Sequence, residues 1–183
     1  LNYAGGGKAV FHPGFYGKYN SREAFEEMKG EMLFLVEQAK KEKLNVILAP
    51  EVTGKVSQWG SLEELLEMRK QVKGLSLTID VSHVHARGNG RLDSKKGFEQ
   101  MFELIESFDK RIFGDLHVHF QGVRYSAKGE LSHLELSSDS PPFKPFAELL
   151  VAYKCSGTII SESPVLEADA LRMKKTYESL KNK

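Results

Sequence analysis

Five short runs rich in apolar and β-branched residues punctuate the chain, at positions 9–12, 45–48, 75–79, 115–119 and 158–160. Each has the length and composition of a buried strand. Between and after them lie longer segments in which apolar residues recur with helical period, over 21–43, 61–73, 95–113, 143–153 and 167–183. End signals accompany the periodicity. Ser21 is placed to cap the first helix, and Ser61 with Glu64 three residues on has the capping-box pattern of the second. Gly74 and Gly157 stand where the second and fourth helices are expected to stop.

Strands that alternate with helices at this spacing predict parallel strands joined by right-handed crossovers, hence an α/β fold. The glycine run Gly5-Gly6-Gly7 precedes a strand, so it lacks the placement of a Rossmann phosphate loop. The alternation therefore predicts a TIM (β/α)8 barrel, of which five of the eight βα units are counted here, with residues 1–183 read as a single domain. The chain opens at Leu1 in a loop-like stretch without a Met. About three further units are expected ahead of it, so that a missing N-terminal segment or another chain closes the barrel.

Composition narrows the setting. A 40% hydrophobic content over 183 residues is enough for a sizeable core, and a net charge of +1 does not by itself advertise a nucleic-acid partner. The lone Cys155 cannot form an intramolecular disulfide, no apolar stretch approaches the ~20 residues of a membrane span, and no signal-peptide pattern opens the chain. These features predict a cytoplasmic protein with no membrane partner.

Chemistry in a barrel concentrates at the C-terminal ends of its strands. The predicted strands end in Phe11-His12-Pro13-Gly14, Ala49-Pro50-Glu51, Ile79-Asp80-Val81-Ser82-His83, Leu116-His117-Val118-His119 and Ile160-Ser161-Glu162. One ionisable residue at a strand end is commonplace. Imidazoles and carboxylates at all five ends point to a multinuclear metal site, because converging carboxylates need a cation to offset their repulsion. This donor mixture suits Zn²⁺, Mn²⁺ or Fe²⁺.

The order His12-Pro13-Gly14, Glu51 with Thr53-Gly54, Asp80-x-x-His83, His117 followed by Glu130 and His133, and then Glu162 resembles the endonuclease IV family of apurinic/apyrimidinic endonucleases. Gly60-Ser61-Leu62-Glu63-Glu64-Leu65 adds to the likeness, which covers nearly the whole chain. The resemblance implies a xylose isomerase-like TIM barrel with up to three zinc ions and DNA containing abasic sites as substrate, incised 5′ to the lesion in base excision repair. It implies that Glu51 bridges two metals and that His12 helps to hold the first. Asp80, His117 and Glu162 would complete the second, and His83, Glu130 and His133 the third. Glu51 and Glu162 are then the catalytic candidates, with Glu162 also a proton acceptor. The sequence departs from the family at Glu130-Leu131-Ser132-His133, where the family shows Asp-x-His.

Further candidates are weighed against bland alternatives. Arg87, Arg124 and Lys128, with Lys18 and Lys55, lie in predicted post-strand loops and form a phosphate-facing set; solvated surface is the alternative for each. Trp59 and Tyr125 are placed to stack on a base or sugar, or to pack their own loops. His85 would share a face with His83 if that segment is extended, and is read as a supporting residue. His119 is read as a hydrogen-bonding residue of the barrel interior, and Cys155 as structural. Two rival functions remain: a sugar isomerase or epimerase of the same superfamily, and a catalytically inactive barrel fragment serving as a binding module.

Overall fold

The computed structural model describes residues 5–182. The opening segment as far as Ala4, and the last residue of the predicted final helix, Lys183, lie outside the described residues. The chain forms two compact units. One runs through Thr53 and takes in Ser57–Thr78; the other takes Gly54–Val56 and the chain from Ile79 onward.

In the first unit, β1 (Lys8–Phe11) pairs in parallel with β3 (Ile47–Pro50), Lys8 opposite Ile47 and Phe11 opposite Pro50. Isolated parallel bridges then join Leu48 to Leu75 and Glu51 to Thr78. The second strand is thus displaced two residues C-terminal of its predicted position. Two short antiparallel strands, β2 (Gly14–Phe15) and β4 (Gln58–Trp59), sit beyond these strand ends. Helix α1 (Ser21–Lys41) begins at the expected residue, but Asn20, not Ser21, is the cap. Its side chain accepts from the backbone N–H groups of Arg22 and Glu23, and Glu23 reaches back to the Asn20 N–H. Helix α2 (Leu62–Gln71) has the predicted Ser61–Glu64 capping box. Trp59 is fully buried beside Phe25, so it packs the loop and is not displayed for stacking on a ligand.

In the second unit, β5 (Ile79–Asp80), β6 (Leu116–His119) and β9 (Gly157–Ile160) form a parallel sheet in that order. Helix α4 (Lys95–Asp109) continues into a 3-10 turn over Lys110–Gly114, which accounts for the overlong predicted helix. Its buried Phe98, Met101, Phe102 and Ile105 recur every three or four residues and so share one face. They meet α5 (Phe143–Ala152) in an aromatic cluster of Phe98, Phe102, Phe113, Phe120, Phe143, Phe146 and Tyr153. Each fully buried Phe contributes about 2–3 kcal/mol of transfer free energy. The turn after α5 places Lys154 at φ 52, so the helix stops there without the expected glycine. Gly157 serves the sheet: a Cβ on it would lie 2.0 Å from the Leu116 carbonyl oxygen. Helix α6 (Glu167–Lys181) closes the described chain.

Two elements were not anticipated. Residues 81–87 form the helix α3 (Val81–Arg87), and β7 (Gly122–Ser126) with β8 (Gly129–Leu134) form an antiparallel hairpin where a loop was expected. Among the described residues, no helix is long and apolar enough to cross a membrane.

The capping assignment is checked by Asn20→Ala. Loss of the reciprocal cap should cost about 1 kcal/mol, read as a lower denaturation midpoint at unchanged slope.

Candidate metal centre

Asp80 ends β5 and caps α3, because its carboxylate can accept the amide that a helix start leaves unpaired. Oδ1 accepts from the His83 backbone N–H at 2.7 Å, and Oδ2 lies 3.4 Å from His83 Nδ1. The Asp80-x-x-His83 spacing is thus a helix N-terminus that folds both side chains into one place. Asp80 is fully buried and His83 is 3% exposed, so water screens neither side chain from the other. Gln121, also fully buried, donates from Nε2 to Asp80 Oδ2 at 2.9 Å. Its backbone is anchored through the Ser82 hydroxyl, which donates to the Gln121 carbonyl.

Two ligand groups form around this junction in the second unit. Asp80, His119 and Glu162 each offer a ligand atom, all within 4.8 Å of one another. His119 Nδ1 is 3.3 Å from Glu162 Oε1. The second group is His83, Glu130 and His133, within the same limit. Glu130 Oε2 is 3.3 Å from His83 Nε2, and Oε1 is 3.3 Å from His133 Nε2. In the first unit, His12 Nε2 stands 3.5 Å from Glu51 Oε2, and the Glu51 N–H donates to the Phe11 carbonyl, which brings the two strand ends together.

The gathering of one group differs from expectation. The sequence points to His117 as the ligand of β6, whereas the group that the structure gathers contains His119. The two residues point to the same side of the strand, with rings 5.7 Å apart. β6 stays paired through His119, opposite Ile160, so the strand end lies one side-chain layer beyond His117. His85 does not share a face with His83, since α3 is helical. It accepts from the Leu92 N–H at Nδ1, faces the Ser140 hydroxyl through Nε2 and meets Tyr125 edge-on. Burial lowers its pKa, which keeps it a neutral packing residue, and Tyr125 is taken up in the same contact. Gln121 had no signal in the sequence beyond its place two residues after His119.

The hairpin group depends on a close backbone approach. Glu130 N–H donates to the Gly54 carbonyl at 3.0 Å. A Cβ on Gly54 would stand 2.7 Å from the Glu130 Cβ and 2.8 Å from His83 Cδ2, so only glycine admits both side chains. His133 Nδ1 donates to the Glu162 carbonyl at 2.9 Å, which leaves Nε2 as the ligating nitrogen, the arrangement common to metal-bound histidines. The hydrogen bond from His133, and next that from His83, hold the Glu130 carboxyl far below the usual carboxylate range. The same bond to Glu130 raises the His133 pKa against the opposing effect of burial. Cys155 shows no such activation: burial pushes its thiol up to about 11.

Among the residues expected to touch substrate, Arg124 is exposed on β7 and Lys128 on the hairpin turn. Arg87 donates from Nη1 to the Lys55 carbonyl at 2.6 Å, so it also braces the 54–56 segment that carries Gly54.

A divalent cation fits these donors. Asp80 and Glu162 converge on one imidazole, and Gln121 Oε1 is buried with no hydrogen-bond donor among the described residues. Such a group is electron-rich and stabilised by positive charge.

A family model for xylose isomerase-like TIM barrels matches residues 2–183. The chain belongs to that family. The superfamily includes AP endonucleases and sugar isomerases, and its members are typically metal-dependent enzymes. The chain is 34% identical over 176 residues to the uncharacterized protein MJ0133 of Methanocaldococcus jannaschii, covering 96% of this chain and 64% of that protein. Its fold is similar to the crystal structure of AsfvAP:AG, with TM-score 0.58 at 16% identity, covering 94% of this chain and 62% of the other. It is also similar to a xylose isomerase domain protein from Alicyclobacillus acidocaldarius, with TM-score 0.54 at 13% identity and 96% and 63% coverage. The chain therefore spans less than two thirds of the length of these relatives.

Two outcomes check the hairpin group. In metal-free protein the Glu130–His133 pair stabilises the fold above the ordinary Glu pKa and below the ordinary His pKa. Its contribution fades as pH rises through the raised His133 value and, at the acid end, as pH falls through the depressed Glu130 value. Denaturation of chelated protein from pH 5 to 9 should show the alkaline loss, and His133→Ala should remove it. Gly54→Ala should weaken Zn²⁺ binding at least about tenfold, read by chelator competition, because it displaces two ligand side chains.

Proposed function

We propose that the protein is a metal-dependent phosphodiesterase that incises DNA at abasic sites, in the manner its resemblance to endonuclease IV implies. The observation that carries the reading is the hairpin group of His83, Glu130 and His133, set beside a separate group of Asp80, His119 and Glu162. Carbohydrate isomerisation needs one or two cations and gives no reason for a further trio on a hairpin arm. Phosphodiester hydrolysis does, since charge develops on the attacking, leaving and non-bridging oxygens and is offset by more than one cation.

Zinc suits the imidazole and carboxylate donors and would supply Lewis acidity and an acidified water near neutral pH. The chain's own residues do the remainder. His133 is held by its Nδ1 bond in the tautomer that ligates, and Asp80 is fixed by Gln121 and the α3 amide. Glu162, partly open to solvent at 38%, has the reach to accept a proton from the attacking water. Arg124 and Lys128 face solvent on the same hairpin and would take phosphate oxygens of the strand.

The test is cleavage of an abasic-site duplex by Zn²⁺-loaded protein, with and without chelator. Cleavage that is lost with chelator and restored by Zn²⁺ is expected. Glu162→Gln should retain metal content and lose about 100-fold or more in turnover. Sugar isomerisation in the absence of any incision would overturn the reading.

A further inference from the structure

Asp169 lies in the first turn of α6, yet it is fully buried. Its Oδ2 accepts from the Leu136 backbone N–H at 2.7 Å, across 33 residues of chain. Oδ1 accepts from Arg172 Nη1 at 2.7 Å. Burial works to raise its pKa, but the bonds from Leu136, Ser163 and Arg172 outweigh it and hold the group ionised. Leu136 opens the 3-10 turn that follows the hairpin carrying Glu130 and His133, with Glu135 between them.

The segment between Glu162 and Asp169 therefore grips the hairpin at two points. At one end the Glu162 carbonyl receives His133 Nδ1–H, and at the other Asp169 receives the Leu136 N–H. The segment is not relaxed: Leu166 adopts φ 42 and ψ −109, a conformation rare for a side chain branched beyond Cβ, and lies 59% exposed, so its own packing does not hold it there. The backbone bonds of Leu166 to Ser163 and of Ala170 to Leu166 keep the turn in place. Glu162 itself is a member of the other ligand group.

We propose that Asp169 is a positioning residue: it seats the Glu130–His133 hairpin against the Glu162 segment and thereby ties cation binding at the hairpin to the placement of Glu162. The proposal rests on the metal-dependent reading above. Glu130 and His133 sit on a two-stranded arm, and such an arm is marginal unless something outside the hairpin holds it. Its turn is tied to the Gly54–Val56 segment, and Asp169 ties its exit. Without the second tie His133 would keep its chemistry and lose its place.

The experiment compares wild type, Asp169→Ala, Asp169→Asn, His133→Ala and the Asp169→Ala/His133→Ala double variant. Co²⁺ uptake is followed by absorbance and equilibrium dialysis, and amide exchange at Leu136 and along β6 is followed without metal. Asp169→Ala should lose the Co²⁺ equivalent that His133→Ala loses, or bind it at least about tenfold more weakly, and the double variant should lose no more than either. Asp169→Asn keeps an acceptor for Leu136 and should stay within about threefold of wild type. Leu136 exchange should accelerate in the Ala variant while β6 is unchanged. Unaltered Co²⁺ uptake in Asp169→Ala, or β6 exchanging as fast as Leu136, overturns the proposal, since the second result marks a residue that only stabilises the fold. A wild type that takes up no Co²⁺ overturns the functional reading instead, and exchange at Leu136 then decides the role of Asp169.

Discussion

A carboxylate with no access to water must be answered by donors, and Asp80 is the residue around which the second unit arranges them. Leaving such a charge uncompensated would cost several kcal/mol. The His83 amide, the Gln121 side chain and the His83 ring surround it. The first of these is also the start of α3, so the charge and the helix form together. The second draws in the turn after β6, whose backbone is in turn fixed by Ser82. One buried acid thus sets the junction of strand, helix and following strand.

The same logic extends to the hairpin. Glu130 is flanked by two imidazoles, and its hydrogen bond raises the His133 pKa, so in the absence of a cation the group favours a bound proton. A cation held by His83, Glu130 and His133 would take the place of such a proton. The site is therefore close to its ligating geometry beforehand, with tautomers set by the Glu162 carbonyl and the Asp80 carboxylate. Preorganisation of this kind is what the proposed hydrolysis requires, because stabilising charges must already be in place when the transition state forms.

Membership of the xylose isomerase-like family accounts for where the ligands sit, at the C-terminal ends of parallel strands. It does not choose a reaction, since the family fold serves several. What distinguishes this chain is carried by residues outside the parallel strands: the hairpin trio, the glycine at 54 that admits it, and the segment from Glu162 to Asp169 that grips it. A longer spacing between Glu130 and His133 than the resembled family shows is accommodated because both lie on one strand of the hairpin, where His133 and His83 reach opposite oxygens of the Glu130 carboxylate.

The alternation of strands and helices and the capping box at Ser61 were legible in the amino-acid sequence, and His12, Glu51, Asp80, His83, Glu130, His133 and Glu162, singled out there, fall in groups that could hold a metal ion. Periodicity and local hydrogen-bonding chemistry act over a few residues, and strand ends follow from where apolar runs stop. That the gathered group contains His119 and not His117 was not legible, because both face the same way and only the pairing of β6 with β9 decides how far the strand extends. Helix α3 is too short and too rich in histidine to show a periodic apolar face, and its start depends on a carboxylate that reads equally well as a strand end. Gln121 and Asp169 look like ordinary polar residues of a turn and a helix surface. Their partners, 41 and 33 residues away, are brought to them by the tertiary fold, and no local pattern records a contact made at that distance.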